Sequence, residues 1–490
     1  MLFNSYEFIF GFLPITLLVF FGLSKYRLVR AATIWLLLAS LFFYGYWKIS
    51  YVPLLLISVV GNYYFGQFLD GAKPGTPKAK ALLFGGVAFN LGILGYYKYA
   101  AFFVSSLNHL FQTQWPVPDI ELPLAISFYS FTQIAYVVDA YRGQTEDYEY
   151  DLPSYSLFVT FFPQLIAGPI LRHNELIPQF KVLRNFVFSH KNVAIGLTWF
   201  ILGLGKKVLI ADRISPWVAT VFDNAEIVTF TEAWVGALSY TFQLYFDFSG
   251  YSDMAIGLGW IFNFRLPINF NSPYKATSII DFWRRWHITL SFFLRDYLYI
   301  PLGGSRRGEI RRYCNLFLTM LLGGLWHGAG WTYVIWGAMH GTFLVVNHAW
   351  KKFGVKLPQF FGWLITFLAV MTSWIFFRAD NLYEATEIVK ATVGIKGIVL
   401  VNDVEPALPW LAEMGVQFRP WQELPYLPPN YQQSFVTLGL LLLAVTLLPN
   451  TQQIIKQFKP KWWWAMGVSG IALACLLSLN RISEFLYFQF

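Results

Sequence analysis

The stretch Asp281–His348 reads DFWRRWHITLSFFLRDYLYIPLGGSRRGEIRRYCNLFLTMLLGGLWHGAGWTYVIWGAMHGTFLVVNH. Its apolar runs are continuous rather than alternating, which indicates helices and not strands. Two histidines, His287 and His327, lie in these apolar surroundings, and an arginine-rich loop separates them. An imidazole at membrane depth costs free energy unless it has a partner or a task, so both histidines are functional candidates.

The composition of the whole chain agrees with this stretch. Hydrophobic residues make up 56% of the 490 residues and charged residues only 13%, whereas soluble domains carry about 25% charged residues. The apolar residues fall in runs of roughly 17 to 25, the length of a helix that crosses a bilayer. We therefore predict an all-α, multi-pass integral membrane protein with about 12 crossings and some re-entrant segments.

Charged loops predict the orientation, because Lys and Arg accumulate on the cytoplasmic side of membrane proteins. The first two clusters of cations imply an external N-terminus: Lys25, Arg27, Arg30, Lys73, Lys78 and Lys80. A fourth span, 81–97, is predicted to end at Lys98, and the acidic, proline-rich residues 396–432 are predicted to lie outside. The net charge of +9 does not indicate nucleic-acid binding, since no base-stacking module accompanies it.

Two apolar segments are interrupted by polar or helix-breaking residues. Residues 125–144 (AISFYSFTQIAYVVDAYRGQ) either line a polar cavity or bond their hydroxyls to the backbone of an ordinary span. Residues 154–179 are broken by Pro163, Gly168 and Pro169, which favours a re-entrant segment packed against protein or a water-filled cavity. His173 stands beside a predicted loop and is interpreted as a solvated surface histidine.

Two carboxylates, Asp247 and Asp253, occur within apolar sequence. Buried carboxylates need cations or hydrogen bonds, so we predict that the arginines near His287 pair with them. The alternative is structural ion pairing without a part in chemistry.

Residues Asp281–Ser291 are predicted to form one helix. On such a helix Arg284, His287 and Ser291 share a face, at i, i+3 and i+7. Asp281 and Arg285 can pair at i+4. His287 would then share its face with a cation and a hydroxyl, and these neighbours are candidate donor- or substrate-binding residues.

The next loop, IPLGGSRRGEIRR (300–312), carries four arginines: Arg306, Arg307, Arg311 and Arg312. Arginine binds phosphate oxygens with two parallel hydrogen bonds, so the loop suits an anionic donor. It could equally be a cytoplasmic loop with no further role.

The following run, LLGGLWHGAGWTYVIWGAMHG (321–341), holds the second histidine. If it is helical, Gly323 and Gly324 precede His327 by one turn and Trp331 follows by one turn. Glycines allow another backbone or a ligand to approach closely. His340 faces a different side and is interpreted as structural.

Known motifs for other chemistries are missing from the sequence. There is no HExxH or cysteine cluster for a metal, no GxSxG turn and no Walker loop, so we expect neither a metal nor a bound cofactor. A neutral imidazole in an apolar pocket suits general base catalysis on a hydroxyl that attacks an acyl carbon. The rival class is a transporter of an anionic metabolite, although the inverted or parallel repeats common in transporters are not visible.

Four motifs carry a family resemblance: 281–304, 321–341, FFPQLIAGPI (161–170) and YFDFSGYSDMAIGLG (245–259). Together they resemble the membrane-bound O-acyltransferase (MBOAT) family. The likeness is greatest to its bacterial branch of alginate O-acetylation proteins, peptidoglycan O-acetyltransferases and teichoic acid D-alanyltransferases. The resemblance implies one polytopic domain over 1–490 with its active-site core at 281–348.

The same resemblance implies residue roles and a donor. His327 corresponds to the family's essential histidine and His287 to its second signature position. Trp326 and Trp331, which flank His327, join the candidate donor- or substrate-binding set. The donor would be a cytoplasmic thioester, acetyl coenzyme A or an acyl carrier protein, and the acyl group would leave on the outer side of the inner membrane.

The C-terminal segment 481–490 ends in EFLYFQF, which is similar to a short terminal motif of this branch. By that similarity Tyr487 is a possible acyl relay; alternatively it is an aromatic residue at the membrane interface. The resemblance further implies an extracellular or cell-wall polysaccharide acceptor and a secreted or membrane-anchored esterase-like partner. D-alanyl transfer to a teichoic-acid-like polymer is the alternative reaction.

Overall fold

The computed structural model describes residues 1–145, 150–479 and 485–486. The chain forms two compact units, each built from separate segments. Unit one comprises Met1–Gly205, Phe248–Asn269 and Ile454–Phe490, and unit two comprises Lys206–Asp247 and Phe270–Gln453. A single membrane domain over 1–490 remains a prediction.

Unit one consists of helices in its described residues. They are Glu7–Lys25, Val29–Gly45, Ile49–Asp70, Pro77–Phe111, Ile126–Tyr141, Leu152–Thr160, Phe162–Leu165, His173–Lys181, Leu183–Phe186, His190–Gly205 and Trp462–Ser478. Hydroxyls inside these apolar helices donate to backbone carbonyls one turn earlier, as Thr16 does to Phe12 and Ser40 to Leu36. These hydrogen bonds satisfy hydroxyl groups that would find no water in the bilayer core.

Unit two is also mainly helical and contains the two histidines. Its helices are Lys206–Ala211, Asp212–Phe222, Pro273–Lys275, Ile279–Trp283, Ile288–Leu294, Arg295–Tyr299, Glu309–His327, Trp331–Lys352, Gln359–Arg378, Leu382–Thr392, Asn402–Ala407, Trp410–Glu413, Trp421–Glu423 and Tyr431–Leu447. Strands Val399–Val401 and Gln417–Arg419 pair in parallel within the predicted external loop. Two helices, Phe230–Ile261 and Thr451–Lys456, continue from unit two into unit one.

In the part of the chain that the structure describes, five helical stretches are long and apolar enough to cross a membrane. They are Glu7–Lys25, Ile49–Asp70, Pro77–Phe111, His190–Phe222 and Gln359–Arg378. Shorter apolar helices of 10–17 residues include Val29–Gly45, Tyr431–Leu447 and Trp462–Ser478. The prediction of a helical chain with several apolar spans is confirmed, and the count of about 12 crossings remains a prediction.

The fourth span is longer than predicted, because its helix does not end at Lys98. A π-helical turn, Gly95–Tyr99, carries the chain onward to Phe111. Lys98 is buried, and its Nζ donates to Ser127 Oγ at 3.0 Å. This hydrogen bond compensates part of the cost of burying an amine, so the charge pattern alone misplaced the helix end.

The polar segment 125–144 fits neither predicted alternative completely. It forms helix Ile126–Tyr141, which is buried along most of its length. Ser127 accepts from Lys98, and the Gln133 side-chain amide donates to Ser58 Oγ at 2.8 Å. These polar groups therefore connect neighbouring helices of unit one.

Segment 154–179 is broken, as its prolines and glycine predicted. Helix Leu152–Thr160 stops before Phe161, and the short helix Phe162–Leu165 follows. Residues 166–172 lie outside helices. The interpretation of His173 as a surface residue is wrong, since it is only 1% exposed. Its ring lies between Tyr150 Oη at 2.5 Å and Asp139 Oδ2 at 3.3 Å, and these polar partners make its burial possible.

The predicted partner of Asp247 is also wrong. Its carboxylate lies 2.6 Å from Lys207 Nζ, which is in turn 2.8 Å from Asp212. All three side chains are buried in unit two. Lys207 is distant in sequence and sits inside an apolar run, so the local charge pattern did not identify it.

Candidate active site

A tight helical hairpin presents the second histidine. We call helices Glu309–His327 and Trp331–Lys352 the histidine hairpin. A Cβ added to Gly324 would clash with the Tyr333 carbonyl oxygen and lie 2.8 Å from Gly337 Cα. The two helix backbones therefore approach so closely that position 324 has room only for glycine.

The hairpin turns immediately after His327. His327 ends its helix, Gly328 is extended, and Trp331 begins the return helix. The prediction that Trp331 follows His327 by one turn of the same helix is wrong, and Trp331 is 55% exposed. The Gly-Ala-Gly sequence at 328–330 accounts for the turn, because glycine leaves a helix at little steric cost.

Aromatic rings surround His327. The ring centroids of Trp326, Trp336 and Phe377 lie 4.8, 4.9 and 5.2 Å from that of His327. His327 is only 5% exposed. These aromatic surroundings keep water away from the imidazole.

His287 lies where the predicted helix Asp281–Ser291 breaks. Helix Ile279–Trp283 ends before it and helix Ile288–Leu294 begins after it, while His287 has a left-handed backbone with φ of +42°. The prediction that Arg284, His287 and Ser291 share one helical face is therefore wrong. A left-handed non-glycine residue costs roughly 1–2 kcal/mol, which tertiary packing must offset.

The polar neighbours of His287 have specific roles at this break. Ser291 Oγ donates to the Trp283 carbonyl oxygen at 2.9 Å, which satisfies backbone left open by the break. Arg285 Nε donates to Asp281 at 3.0 Å, as predicted for the i, i+4 pair. Both interactions hold the chain on either side of the buried His287 ring.

The structure brings the two histidines together. Their ring centroids are 6.3 Å apart. Because ring nitrogens lie on the order of 1 Å from the centroid, no nitrogen of one ring can be closer than about 4 Å to a nitrogen of the other, which is beyond a direct hydrogen bond. Trp326 contacts both rings, with its centroid 6.2 Å from that of His287.

His340 is tied into the core, consistent with a structural role. Trp283 Nε1 lies 3.2 Å from His340 Nδ1, and Ser373 Oγ lies 2.9 Å from Nε2. Because Trp283 can only donate, Nδ1 is the acceptor and Nε2 carries the proton. Trp336 lies between His340 and His327, with centroids 4.7 and 4.9 Å away. His340 thus helps to hold Trp336, one of the rings that pack around His327.

A basic cavity of about 550 Å³ lies beside the break in unit two. Its polar lining comprises Arg284, Ser291, Arg295, Tyr299, Ser305, Arg312, Thr319 and His348. Arg284 and Ser291 belong to the predicted binding set, whereas Asp281, Arg285, Trp326 and Trp331 do not line it. Arg295 and Tyr299 were missed, although their i+4 and i+8 spacing from Ser291 places them on one helical face.

The arginines of this cavity differ in their capacity to bind a ligand. Arg295 is already engaged, with hydrogen bonds of 2.6 and 2.9 Å to Asp296. The buried Arg312 Nε has no hydrogen-bond partner within the described ranges. Buried donors are normally satisfied, so an unmatched one points to a bound acceptor.

Within residues 1–145, 150–479 and 485–486, no group of three or more His, Cys, Asp or Glu side chains is arranged to hold a metal ion. That neither a metal nor a bound cofactor is required remains a prediction.

Comparison with known proteins identifies similar chains. The profile of the membrane-bound O-acyltransferase family matches residues 93–381. A peptidoglycan O-acetyltransferase of Helicobacter pylori is 41% identical over 100% of this chain and 98% of that protein. A probable alginate O-acetylase of Pseudomonas aeruginosa is 46% identical over 80% of this chain and 74% of its own length. A teichoic acid D-alanyltransferase of Bacillus subtilis is 27% identical over 52% of this chain and 66% of its own.

Proposed function

The chain belongs to the membrane-bound O-acyltransferase family, and on that premise we propose that it transfers acetyl groups from a cytoplasmic thioester to polysaccharide hydroxyls outside the membrane. The buried pair of His287 and His327, 6.3 Å apart, is the observation that carries this proposal. Two imidazoles enclosed by aromatic rings can hold one hydroxyl and exclude competing water.

His327 acts as the general base in this proposal. The acceptor oxygen attacks the acyl carbon, its proton passes to His327, and the carbon–sulfur bond breaks. The departing thiolate then takes the proton. General base catalysis contributes about 10²–10⁴ in rate. His287 orients the hydroxyl or stabilises developing charge, and Trp326, which contacts both rings, forms a wall for the acyl group.

The basic cavity holds the anionic part of the donor. Coenzyme A and the prosthetic group of acyl carrier proteins both carry phosphate, which arginine binds well. Arg284 and Arg312 are the proposed phosphate ligands, and the Arg285–Asp281 pair fixes the adjoining turn. The contact between Glu309 and Lys352 joins the arginine-rich segment to a second cationic one, and cations are typical of the cytoplasmic side, which supports a cytoplasmic donor.

Replacing Arg312 with Gln tests the donor cavity. We expect the KM for acetyl coenzyme A to rise about 10-fold or more, since a hydrogen bond to a charged group contributes roughly 1.5–3 kcal/mol. The kcat should change little, because this contact is the same in ground and transition states. Arg311→Gln removes the same charge from the same loop but not from the cavity lining, so it is the matched control. Equal KM values for the two variants would contradict the assignment.

The names of two relatives support a polysaccharide acceptor. The Helicobacter pylori relative is named for peptidoglycan, and the Pseudomonas aeruginosa relative for alginate. We propose a cell-wall or extracellular polysaccharide acceptor, the cytoplasmic (inner) membrane as location, and an esterase-like secreted or anchored partner for the final transfer. D-alanylation is the second candidate, resting on the Bacillus subtilis relative.

Tyr487 is the proposed acyl relay on the outer side, although it lies outside the described residues. A phenol acylated near a base forms a reactive ester, which is a good leaving group for a second transfer. Tyr487→Phe should abolish polymer acetylation in cells while leaving protein abundance unchanged. Tyr26→Phe, at an exposed tyrosine near the predicted cytoplasmic side, is the control. Full acetylation by Tyr487→Phe would leave Tyr487 with an interfacial role only.

A reconstitution experiment tests the reaction itself. Purified protein in liposomes receives acetyl coenzyme A with a radiolabelled acetyl group, with and without a polysaccharide acceptor. We expect release of free coenzyme A and label on the protein itself, with label on the polysaccharide only when the esterase-like partner is also added. Accumulation of an intact labelled solute inside the liposomes, without acyl transfer, would instead support the transporter alternative.

A further inference from the structure

The basic cavity reaches a point far from the proposed base. Arg312, in its lining, and His327 belong to the same helix, Glu309–His327. The helix rises about 1.5 Å per residue, so the two positions are about 22 Å apart. We infer that Arg312 and His348 recognise a terminal phosphate monoester of the donor, so that the donor is a coenzyme A thioester and not an acyl carrier protein. This inference rests on the proposed function, since it concerns the donor of that reaction.

One face of this helix leads from the cavity towards His327. Four of its residues line the cavity and share that face: Arg312, Leu316, Thr319 and Met320. A Cβ on Gly323, one turn before His327, would meet the side chain of Leu294 at 3.2 Å, and Leu294 also lines the cavity. The cavity therefore follows the helix from Arg312 to within about two turns of His327.

The second helix of the histidine hairpin supplies an imidazole at the same end. His348 lines the cavity one turn after Leu344, and its electrostatic neighbours are Arg312 and Lys351. An imidazole donates one hydrogen bond when it is neutral and two when it is protonated. The buried Arg312 Nε has no hydrogen-bond partner among the described residues. This end of the cavity therefore offers a guanidinium and an imidazole to one anion.

The charges around the cavity favour a strongly anionic group. The described residues of its lining include no carboxylate. Nearby carboxylates are already engaged, since Glu309 contacts Lys352 and Asp296 accepts from Arg295. A phosphate monoester carries a charge of about −1.5 to −2 at neutral pH, whereas a phosphate diester carries a single negative charge. Arg312 and His348 therefore suit a monoester better than a diester.

The length of the donor separates the two candidates. About 13 bonds join the sulfur of the pantetheine arm to its phosphorus, and an extended chain advances about 1.2 Å per bond, so the arm spans about 16 Å. With the sulfur beside His327, the diester phosphate of a carrier protein would stop about 6 Å short of Arg312. Helical side chains lean towards the N-terminus, which here is away from His327, so the Arg312 side chain does not close this gap.

Coenzyme A is long enough to reach Arg312. Beyond the pantetheine arm it continues through a diphosphate and a ribose to a terminal 3′-phosphate, which is a monoester. About 21 bonds separate that phosphorus from the sulfur, a reach of about 25 Å. The terminal phosphate can therefore lie between Arg312 and His348 while the thioester lies at His327.

A packing role within the hairpin is the competing explanation for His348. Its loss would then lower the melting temperature and affect every donor equally, because packing does not depend on the ligand. Recognition of the terminal phosphate affects only donors that carry it. The decisive measurement therefore compares two donors that differ by this phosphate alone.

Acetyl dephospho-coenzyme A, which lacks the terminal phosphate, provides that comparison. The full chain in liposomes receives either donor, and the initial rate of acetyl transfer to the protein is measured. We expect the KM for acetyl dephospho-coenzyme A to be at least about 10-fold higher than that for acetyl coenzyme A. His348→Ala should raise the KM for acetyl coenzyme A about 10-fold and leave the other KM unchanged. His190→Ala, at an exposed histidine of unit one, should change neither.

Three results would overturn the inference. They are equal KM values for the two donors with the unsubstituted protein, an equal rise in both KM values with His348→Ala, and transfer from acetylated acyl carrier protein as fast as from acetyl coenzyme A. The first comparison needs no substitution, so it stands even if His348→Ala fails to fold.

A binding measurement separates this inference from the proposed function. The full chain in lipid nanodiscs is titrated with adenosine 3′,5′-bisphosphate and with adenosine 5′-monophosphate. We expect the bisphosphate to bind about 10-fold more tightly, and His348→Ala to remove most of this difference. No acetyl transfer from any donor, with the preference retained, would refute only the proposed function. Normal transfer with equal affinity for both nucleotides would refute only the inference.

Discussion

His327→Ala is expected to abolish acyl transfer to extracellular polymer while the protein still reaches the membrane. The substitution removes the proposed base from a pocket formed by Trp326, Trp336 and Phe377, which have no proton-accepting group. General base catalysis accounts for about 10²–10⁴ in rate, so kcat should fall by at least that range. The measurement is acetyl coenzyme A turnover by purified protein, together with polymer acetylation in cells.

His109→Ala is the control for this prediction, because His109 is exposed on helix Ala100–Phe111 of unit one. It should retain full activity. His287→Ala should lower kcat less than His327→Ala does, since it removes the supporting imidazole and leaves the base. Normal polymer acetylation by His327→Ala would refute the assignment of the base.

Gly324→Ala is the second change expected to have a large effect. The new methyl group would press on the Tyr333 carbonyl oxygen and on Gly337 Cα, which are backbone atoms and cannot rotate away. The helices of the histidine hairpin would have to separate, and overpacking of this kind costs roughly 1–3 kcal/mol. A shift of about 1 Å at His327 can lower the rate about 10²-fold, so we expect a large fall in kcat and a lower melting temperature.

The adjacent glycine provides a matched control. A methyl group on Gly323 would meet only the Leu294 side chain, at 3.2 Å, and that side chain can adjust. Gly323→Ala should therefore retain most activity and stability, measured as turnover and thermal unfolding in detergent. Comparable losses in both variants would show that the close approach at Gly324 is not what positions His327.

Both histidines of the site were recognisable from the sequence, because their setting is local. Each imidazole lies in an apolar, tryptophan-rich run, where its cost makes it conspicuous. The break at His287 was not predictable, since residues 281–291 also suit a continuous helix. Contacts with residues outside this segment stabilise the broken conformation. One of them is the hydrogen bond from the Arg285 guanidinium to the Asn271 carbonyl oxygen at 3.3 Å.

The polar partners were the least predictable feature. The i, i+4 pair of Asp281 and Arg285 was predicted correctly because one turn of chain sets its geometry. The pairing of Asp247 and the burial of His173 were mispredicted because their partners lie on other elements. Lys207 is 40 positions from Asp247, and the partners of His173 are Asp139 and Tyr150. Charge pattern along the chain carries no information about which buried cation faces which carboxylate.

The sequence by itself determined the helical membrane class, the family and the two histidines, because apolar run length and local motifs express these directly. Only the tertiary structure decided that the ring centroids of His287 and His327 lie 6.3 Å apart, that Arg284 and Arg312 share a cavity, and that Phe377 packs on His327. The physical reason is that hydropathy and helical periodicity act within a few turns of chain, whereas these contacts depend on how separate helices pack.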